Sequence, residues 1–391
     1  MRKLLFVLSL SAMTFLPACQ NFSPLHPPET LSDDAALLNE FAAMNKNGPQ
    51  GGAIVVLTHN VYVGTDVDYV IAAPTPADVP VRAAEAFQGL LATDFYERAD
   101  AFAKEIRRAR PHLIGLQEIS TIRIQSPGDA VVGGTIPAED VLFDYLDILM
   151  DALQAHHLKY KVAGVIENTD VEVPMIVSAD PLQFDDIRLT DYDVVLVRKD
   201  VKIANVFTKN YIAKFTVPSL GAEIIRGFVA VDAKVNGRIV RFVNTHLEPA
   251  PIPDLLPVQM GQAQELAAIM AAETKPVIVV GDLNSSAPDG PTYQFFLDNG
   301  YLDMWTEKSN PGGGDGNTSS HDLDLRNPVP NLTKRIDYIL LKNDPAISGL
   351  SLRSACAVVV GDELGDRTVS GMWPSDHAGV VAAMRLSKAQ N

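Results

Sequence analysis

Lys275–Ser286 reads KPVIVVGDLNSS, and the meaning of this stretch decides the fold. Val277, Ile278, Val279 and Val280 form an unbroken β-branched run. A short apolar run closed by turn residues is the pattern of a buried strand. The run stops at Gly281, and Asp282 and Asn284 follow two positions apart. A period of two puts both side chains on one side of the chain as it leaves the strand. A carboxylate beside a carboxamide can orient a water and stabilise a charged oxygen. A Gly-Asp-x-Asn turn capping its own backbone explains the same residues, so the rest of the chain has to choose.

Upstream, Val258–Glu273 has helical character, and Leu247–Leu256 is a proline-bearing loop. Before it, Arg238–Thr245 reads as a strand that delivers His246. Asn236-Gly237, the strongest hairpin signal in the chain, joins this strand to Glu223–Val235. Tyr160–Ile166, Tyr192–Val197 and Val201–Phe207 are further strands, while Asp170–Asp186 has no decisive pattern. Pro137–His157 and Phe95–Arg108 read as amphipathic helices, the first on a stripe of Val141, Tyr145, Ile148 and Leu149. Leu113–Leu116 is a strand with Glu118 just past its end, and Ala53–Thr58 is one that delivers Asn60. Between Asn60 and the Phe95 helix lies an insertion, Tyr62–Asp94, expected as loops and a short helix at the mouth of the site.

Downstream, Thr292–Leu297 is a short helix. Glu307–Asn331 is too long and polar for core and is either a disordered surface loop or a substrate-facing one. Lys334–Leu341 is a strand holding Asp337, and Leu350–Val360 is another. Ser375-Asp376-His377 opens the last, Gly379–Met384. Strands alternating with helices give an α/β layered fold, which collects functional groups at strand ends.

Six times a strand begins or ends at a polar cluster: Asn60, Glu118, His246, Asp282 with Asn284, Asp337, and Asp376 with His377. Each has an ordinary structural explanation: a turn former at Asn60, a core histidine at His246, an Asp337–Arg335 pair, a capping Asp376. Six together indicate a convergent site. Glu118, Asp282, Asp376, Asn60 and Asn284 are all oxygen donors, which suit Mg²⁺, Mn²⁺ or Ca²⁺ rather than Zn²⁺. His246 and His377 add groups that titrate or donate near neutral pH. Carboxylates, amides and histidines around a hard cation are the equipment of phosphoester hydrolysis.

The N-terminus is a processing signal. Arg2 and Lys3 precede the apolar Leu4–Phe15, which is too short for a spanning helix and ends in Leu16-Pro17-Ala18-Cys19. That tetrapeptide resembles the bacterial lipobox, so residues 1–19 are expected to be a lipoprotein signal. Lipidation of Cys19 would then anchor the chain to a cell-envelope membrane, with Gln20 favouring the outer one. Only two cysteines are present, which leaves no pair for a disulfide once Cys19 is modified. Residues 20–52 have the composition of a flexible tether, interrupted by a short helix around Asp33–Met44, and residues 53–391 form the folded domain. The net charge of −16 and pI near 4.9 disfavour non-specific binding of a polyanion such as DNA.

The motifs THNV at Asn60, LQEIS at Glu118, NTHLE at His246, GDLNS at Asp282, RIDYILL at Asp337 and SDHAGV at Asp376 resemble the endonuclease/exonuclease/phosphatase superfamily, over roughly Ala53–Leu386. The resemblance implies an α/β four-layer sandwich, two mixed β-sheets facing each other with helices outside. It implies that Glu118 is the principal metal ligand, supported by Asn60, and that Asp282 activates the attacking water. Asn284 and His246 would contact the phosphate. Asp337 would fix the ring of His377, and Asp376 would position the metal or water. Arg226, in a strand before Gly227, is read as a structural surface arginine, with a residue facing the phosphate as the alternative. Tyr62 stands where apurinic-site nucleases of the superfamily carry an acid, and His246 resembles the branch of deoxyribonuclease-like enzymes, sphingomyelinases and inositol-phosphate phosphatases. The Tyr62–Asp94 insertion matches no branch.

The expected function is therefore a Mg²⁺-dependent phosphodiesterase or phosphatase, a monomer acting on a lipid head group or small phosphate ester. A secreted nuclease is the alternative within the same chemistry. A binding lipoprotein with a dead site is the alternative outside it, and it would be signalled by loss of Glu118, Asp282 or His377, all of which are present.

Overall fold

The computed structural model describes residues 52–217, 220–250, 255–307 and 314–389. The expected signal segment, the tether up to residue 51 and the helix around Asp33–Met44 lie outside the described residues. In chain order the first strands are β1 (Ile54–Asn60), β2 (Leu113–Gln117), β3 (Thr121–Gln125), β4 (Asp140–Asp144), β5 (Tyr160–Ala179), β6 (Leu182–Arg198), β7 (Lys202–Asn210) and β8 (Phe215–Val217). They continue with β9 (Ala222–Ile224), β10 (Gly227–Val235), β11 (Arg238–His246), β12 (Val277–Asp282), β13 (Tyr301–Asp303), β14 (Asp337–Lys342), β15 (Leu350–Val360) and β16 (Gly379–Lys388). The helices are α1 (Val67–Ile71), α2 (Val79–Ala92), α3 (Phe95–Ala109), α4 (Tyr145–Ala155), α5 (Leu256–Met270), α6 (Pro291–Asp298) and α7 (Pro345–Ser348).

Two large mixed sheets result. One runs β15-β16-β1-β2-β6-β3-β4, with β5 along the long strand β6; the other runs β13-β14-β12-β11-β10-β7. The β1–β2 and β11–β12 pairs are parallel, and their neighbours are antiparallel. The opening stretch shows why the sheets stack. Ile278 and Val280 face inward and meet Val56, Leu113 and Val195 of the opposite sheet. Val277 and Val279 face outward against Leu266, Met270 and Phe296 of the outer helices. On the other side Val55 and Leu116 pack outward on Phe102, Ile106 and Leu149. A strand buried on both faces reads as a continuous apolar run, as Val277–Val280 does. The layers are helix, sheet, sheet, helix.

Two local features set the spacing under the site. Gly115 has no room for a side chain, because a Cβ there would lie 2.5 Å from Val280 Cγ2 and 2.6 Å from Asn244 Oδ1. Asn244 crosses between the sheets: its amide donates to the carbonyls of Leu116 (2.8 Å) and Val194 (3.1 Å) and accepts from Gln117 Nε2 (2.6 Å).

Several expectations are corrected. The helix over Pro137–His157 begins only at Tyr145, where Asp144 accepts from the Asp147 N–H. Residues 140–144 instead pair with β3, and Val141 is exposed. The undecided stretch Asp170–Asp186 forms the turn end of the β5–β6 hairpin. The strand expected over Glu223–Val235 is broken into β9 and β10, leaving Arg226 between them. The insertion is more helical than expected, with the 14-residue α2 as its main element. Asp337 starts its strand rather than lying inside it.

Candidate active site

The register of the second sheet lines up three functional residues. His246 pairs with Asp282 across β11–β12, and Asp282 with Asp337 across β12–β14. Across the gap, Asn60 ends β1 beside Gln117, so Glu118 leaves the other sheet at the same end. Gly281 makes the turn feasible: at φ +140°, a Cβ would fall 1.8 Å from the Thr245 carbonyl oxygen.

Asp282 is the centre. Its Oδ1 accepts from the Asn284 backbone N–H at 2.8 Å. Its Oδ2 is ringed by three nitrogens: Asn60 Nδ2 at 3.3 Å, His246 Nε2 at 3.5 Å and His377 Nε2 at 3.8 Å. Burial, then the neighbouring Asp337 carboxylate, pushes the Asp282 carboxyl up to about 7 against the opposing charge of His377.

His377 Nδ1 lies 2.9 Å from Asp337 Oδ2. Burial alone would discharge the imidazolium, but Asp337, Asp376 and Asp282 outweigh it and hold His377 well above its ordinary value. His377 is therefore protonated at neutral pH, donating Nδ1–H to Asp337 and presenting Nε2–H towards Asp282. The 307–331 segment supports this pair. Thr318 Oγ1 accepts from the Ile336 and Asp337 N–H groups, and Ser319 bridges to both Lys334 and His377. The alternative partner for Asp337 is taken, since Arg335 bonds Asp303 at 2.5 Å.

His246 behaves oppositely: burial, then the Arg226 charge and His377, pull it well below its ordinary value. Arg226 Nη1 lies 2.9 Å from His246 Nδ1. A guanidinium has no acceptor, so Nδ1 carries the lone pair and Nε2 the proton, facing Asp282 Oδ2. Asn284 Nδ2 donates to the Leu247 carbonyl at 3.0 Å and lies 3.1 Å from the same Nε2. Arg226 is thus no surface residue. It is mostly buried, bonds Glu248 at 3.2 Å and lies 3.7 Å from Asp191. The sequence favours the surface reading because Arg226 sits at a strand break and its partners come from β6, β11 and the following loop.

Glu118 accepts from Asn60 Nδ2 (2.9 Å) and from the Val63 N–H (2.8 Å). Arg98 fastens the chain around it by donating to the Val61, Tyr62 and Pro374 carbonyls. Burial, then the Asp376 and Asp191 carboxylates, pushes Glu118 up to about 7. Asp376 itself is raised by burial. Crowded carboxylates that raise one another are relieved by a divalent cation, and an all-oxygen donor set suits a hard one. These residues fit such a cation.

Two tighter groups exist among the described residues, Asp282–Asp337–His377 and Asp191–Asp193–His246. The first is the network above, already charge-balanced by His377. The second was not foreseen. Burial, then Asp191, holds Asp193 well above the carboxylate range, and neither of its carboxylate oxygens has a hydrogen-bond partner. A signal was available: Asp191 and Asp193 alternate in phase with Val195 and Val197, which face the core between the sheets.

The chain matches the model of the Endonuclease/Exonuclease/phosphatase family over residues 57–377. Among solved structures, a protein of that family from Leptotrichia buccalis C-1013-b aligns at TM-score 0.50 and 16% identity, covering 85% of this chain and 99% of that one. One from Bacteroides thetaiotaomicron aligns at TM-score 0.50 and 14% identity, covering 86% and 98%. At these identities the likeness is one of fold. No curated protein sequence matches the chain.

Proposed function

The chain belongs to the Endonuclease/Exonuclease/phosphatase family, whose members hydrolyse phosphoester bonds, and from that premise we propose that it is a divalent-metal-dependent phosphodiesterase or phosphatase using in-line attack by water. One observation carries the reading: Asp282 Oδ2, on a carboxyl raised towards neutrality, faces the side-chain nitrogens of Asn60, His246 and His377 at 3.3, 3.5 and 3.8 Å.

A pKa near neutrality suits a general base. Asp282 takes the proton of the attacking water. His246 Nε2–H and the Asn284 amide donate to phosphoryl oxygens. Asp337 keeps His377 charged and oriented, so that its Nε2–H meets the negative charge that grows as the bond to phosphorus forms. Glu118, with Asn60 and Asp376, would hold a divalent cation that would supply further positive charge to those oxygens; Mg²⁺ is the proposed ion, with Mn²⁺ or Ca²⁺ as substitutes.

The proposed substrates are lipid head groups or small phosphate esters rather than nucleic acid, on the ground of the acidic charge. The proposed setting is the cell envelope, with the chain a monomer anchored through lipidated Cys19. No described helix is long and apolar enough to cross a membrane. A Cys19→Ser variant that still partitions with membranes would overturn the anchor.

Hydrolysis of bis-p-nitrophenyl phosphate with Mg²⁺, lost in EDTA, is the primary test. Asp282→Ala and His377→Ala should each lower kcat by about 10²–10⁴. Folded protein inactive under both conditions, or near wild-type rates in both variants, would refute the reading.

A further inference from the structure

We propose that the Tyr62–Asp94 insertion and the β5–β6 hairpin form a hydrocarbon-binding cleft, and that the enzyme's substrate is a single-chain amphiphile: a phosphoester whose one substituent carries an unbranched aliphatic chain. The proposal rests on the phosphoester reading only for the identity of the polar end.

The cleft holds about 1080 Å³ of empty space including its open mouth. Much of its wall comes from the insertion and from the hairpin. Ala86, Phe87 and Leu90 of α2 form one side, and Val171, Val173 and Leu189 of the hairpin form the other. The apolar part of the lining is aliphatic apart from Phe87, so it offers no pair of aromatic faces for a base. Its Thr169 hydroxyl is already used, donating to the Ile225 carbonyl and accepting from the Ile225 N–H. Between α2 and the hairpin, where the lining is apolar, a sugar or base would leave its polar atoms without partners, at a cost that a hydrocarbon does not meet.

The titratable groups of the lining are Asp68, Glu118, Asp191, Arg226 and Glu248. They form one electrostatic cluster, because Arg226 acts on Asp68, Asp191 and Glu248, and Asp191 acts on Glu118. Glu118 and Arg226 also touch the reaction centre, through Asn60 and His246. Glu118 and Arg226 line the cleft themselves, so its polar end adjoins the site, and the rest of its wall is mostly apolar. That is the outline of an amphiphile's head and tail. The mouth carries exposed Val67, on α1 and in the lining itself.

The test is isothermal titration of the full chain with n-alkylphosphonates, from ethyl to decyl, in the presence of Mg²⁺. These probes are not hydrolysed, so the measurement does not depend on turnover. Each methylene that enters the cleft should tighten Kd by about fourfold, until the cleft is filled. Ala86→Trp should flatten that chain-length dependence by filling the space. Phe87→Asp, which places a charge on the same wall, is the second variant, and thermal melts establish that each is folded. A Kd independent of chain length in the wild type would overturn the proposal, as would an unchanged dependence in both folded variants. Failure to hydrolyse bis-p-nitrophenyl phosphate would sink the phosphoesterase reading alone, and the phosphonate series would still decide the cleft.

Discussion

Three non-glycine residues at the site hold positive φ: Tyr62 at 58°, Glu118 at 60° and Asn284 at 50°. Such conformations are uncommon and persist where the surroundings over-determine them. Here the determinants are visible, in the Tyr62 N–H bonded to Asn60 Oδ1 and the Asn284 N–H bonded to Asp282 Oδ1. The sequence marked Glu118 and Asn284 by residue type but not Tyr62, and all eight expected site residues line the same end of the sandwich. It put the site second to the surface for Arg226 and passed over Asp191 and Asp193, whose significance depends on partners far away in the chain. Residue chemistry also predicts acid sensitivity away from the site. His112 Nδ1 accepts from the Val55 N–H at 3.0 Å, and burial, then Arg198, lowers its pKa to about 4. A group depressed on folding contributes full stability above its unfolded value of about 6.5 and loses it as pH falls towards 4. The loss should be on the order of 3 kcal/mol. Denaturant unfolding at pH 7, 5 and 4 measures it. His112→Asn keeps an acceptor without the titration and should flatten the decline; an equal decline in the variant would contradict the assignment.

At the scale of elements, β-branched runs were readable because burial on both faces forces an apolar residue at every position. β1, β2, β11, β12, β14, β15 and β16 all emerged from that signal. β3, β4 and β13 did not, being short and mostly at edges, where pairing rather than sequence pattern makes a strand. The helical stripe that misled over residues 137–144 failed for the same reason: β3 offered those residues a ladder, and Asp144 capped the helix four residues after Asp140. The contact most worth removing joins elements. Asn244→Leu would remove the amide donor of the Leu116 and Val194 carbonyls and one of the two acceptors of Gln117 Nε2, whose other is Thr58 Oγ1. Each buried group left without a partner costs about 1–3 kcal/mol, so the variant should lose on the order of 3 kcal/mol or more in urea unfolding. A loss below ~1 kcal/mol would mean that the two sheets do not depend on this amide.

For the whole molecule, the site exists only because two sheets present their ends together. Glu118 and Asn60 come from one sheet, His246, Asp282 and Asp337 from the other, and His377 from the start of β16. A cation that binds the folded site and not the open chain must stabilise the fold, by about 2.7 kcal/mol at a hundredfold excess over Kd. Mg²⁺ should therefore raise Tm relative to EDTA, and Glu118→Gln should abolish the increase. An undiminished increase in that variant would place the cation elsewhere. By itself the sequence determined the layered class, the inner and outer faces of the central strands, and the chemical types at the site, because these follow from residue periodicity and from what side chains can donate or accept. Only the tertiary structure decided which groups share a charge environment. Asp282 and Glu118 are drawn towards neutrality, His377 and His246 are driven in opposite directions, and Arg226 becomes part of the centre, because burial and through-space charge depend on neighbours that no local pattern records. The Asp282–Asn284 pair, first readable as a turn, is that turn and also the meeting point of both sheets.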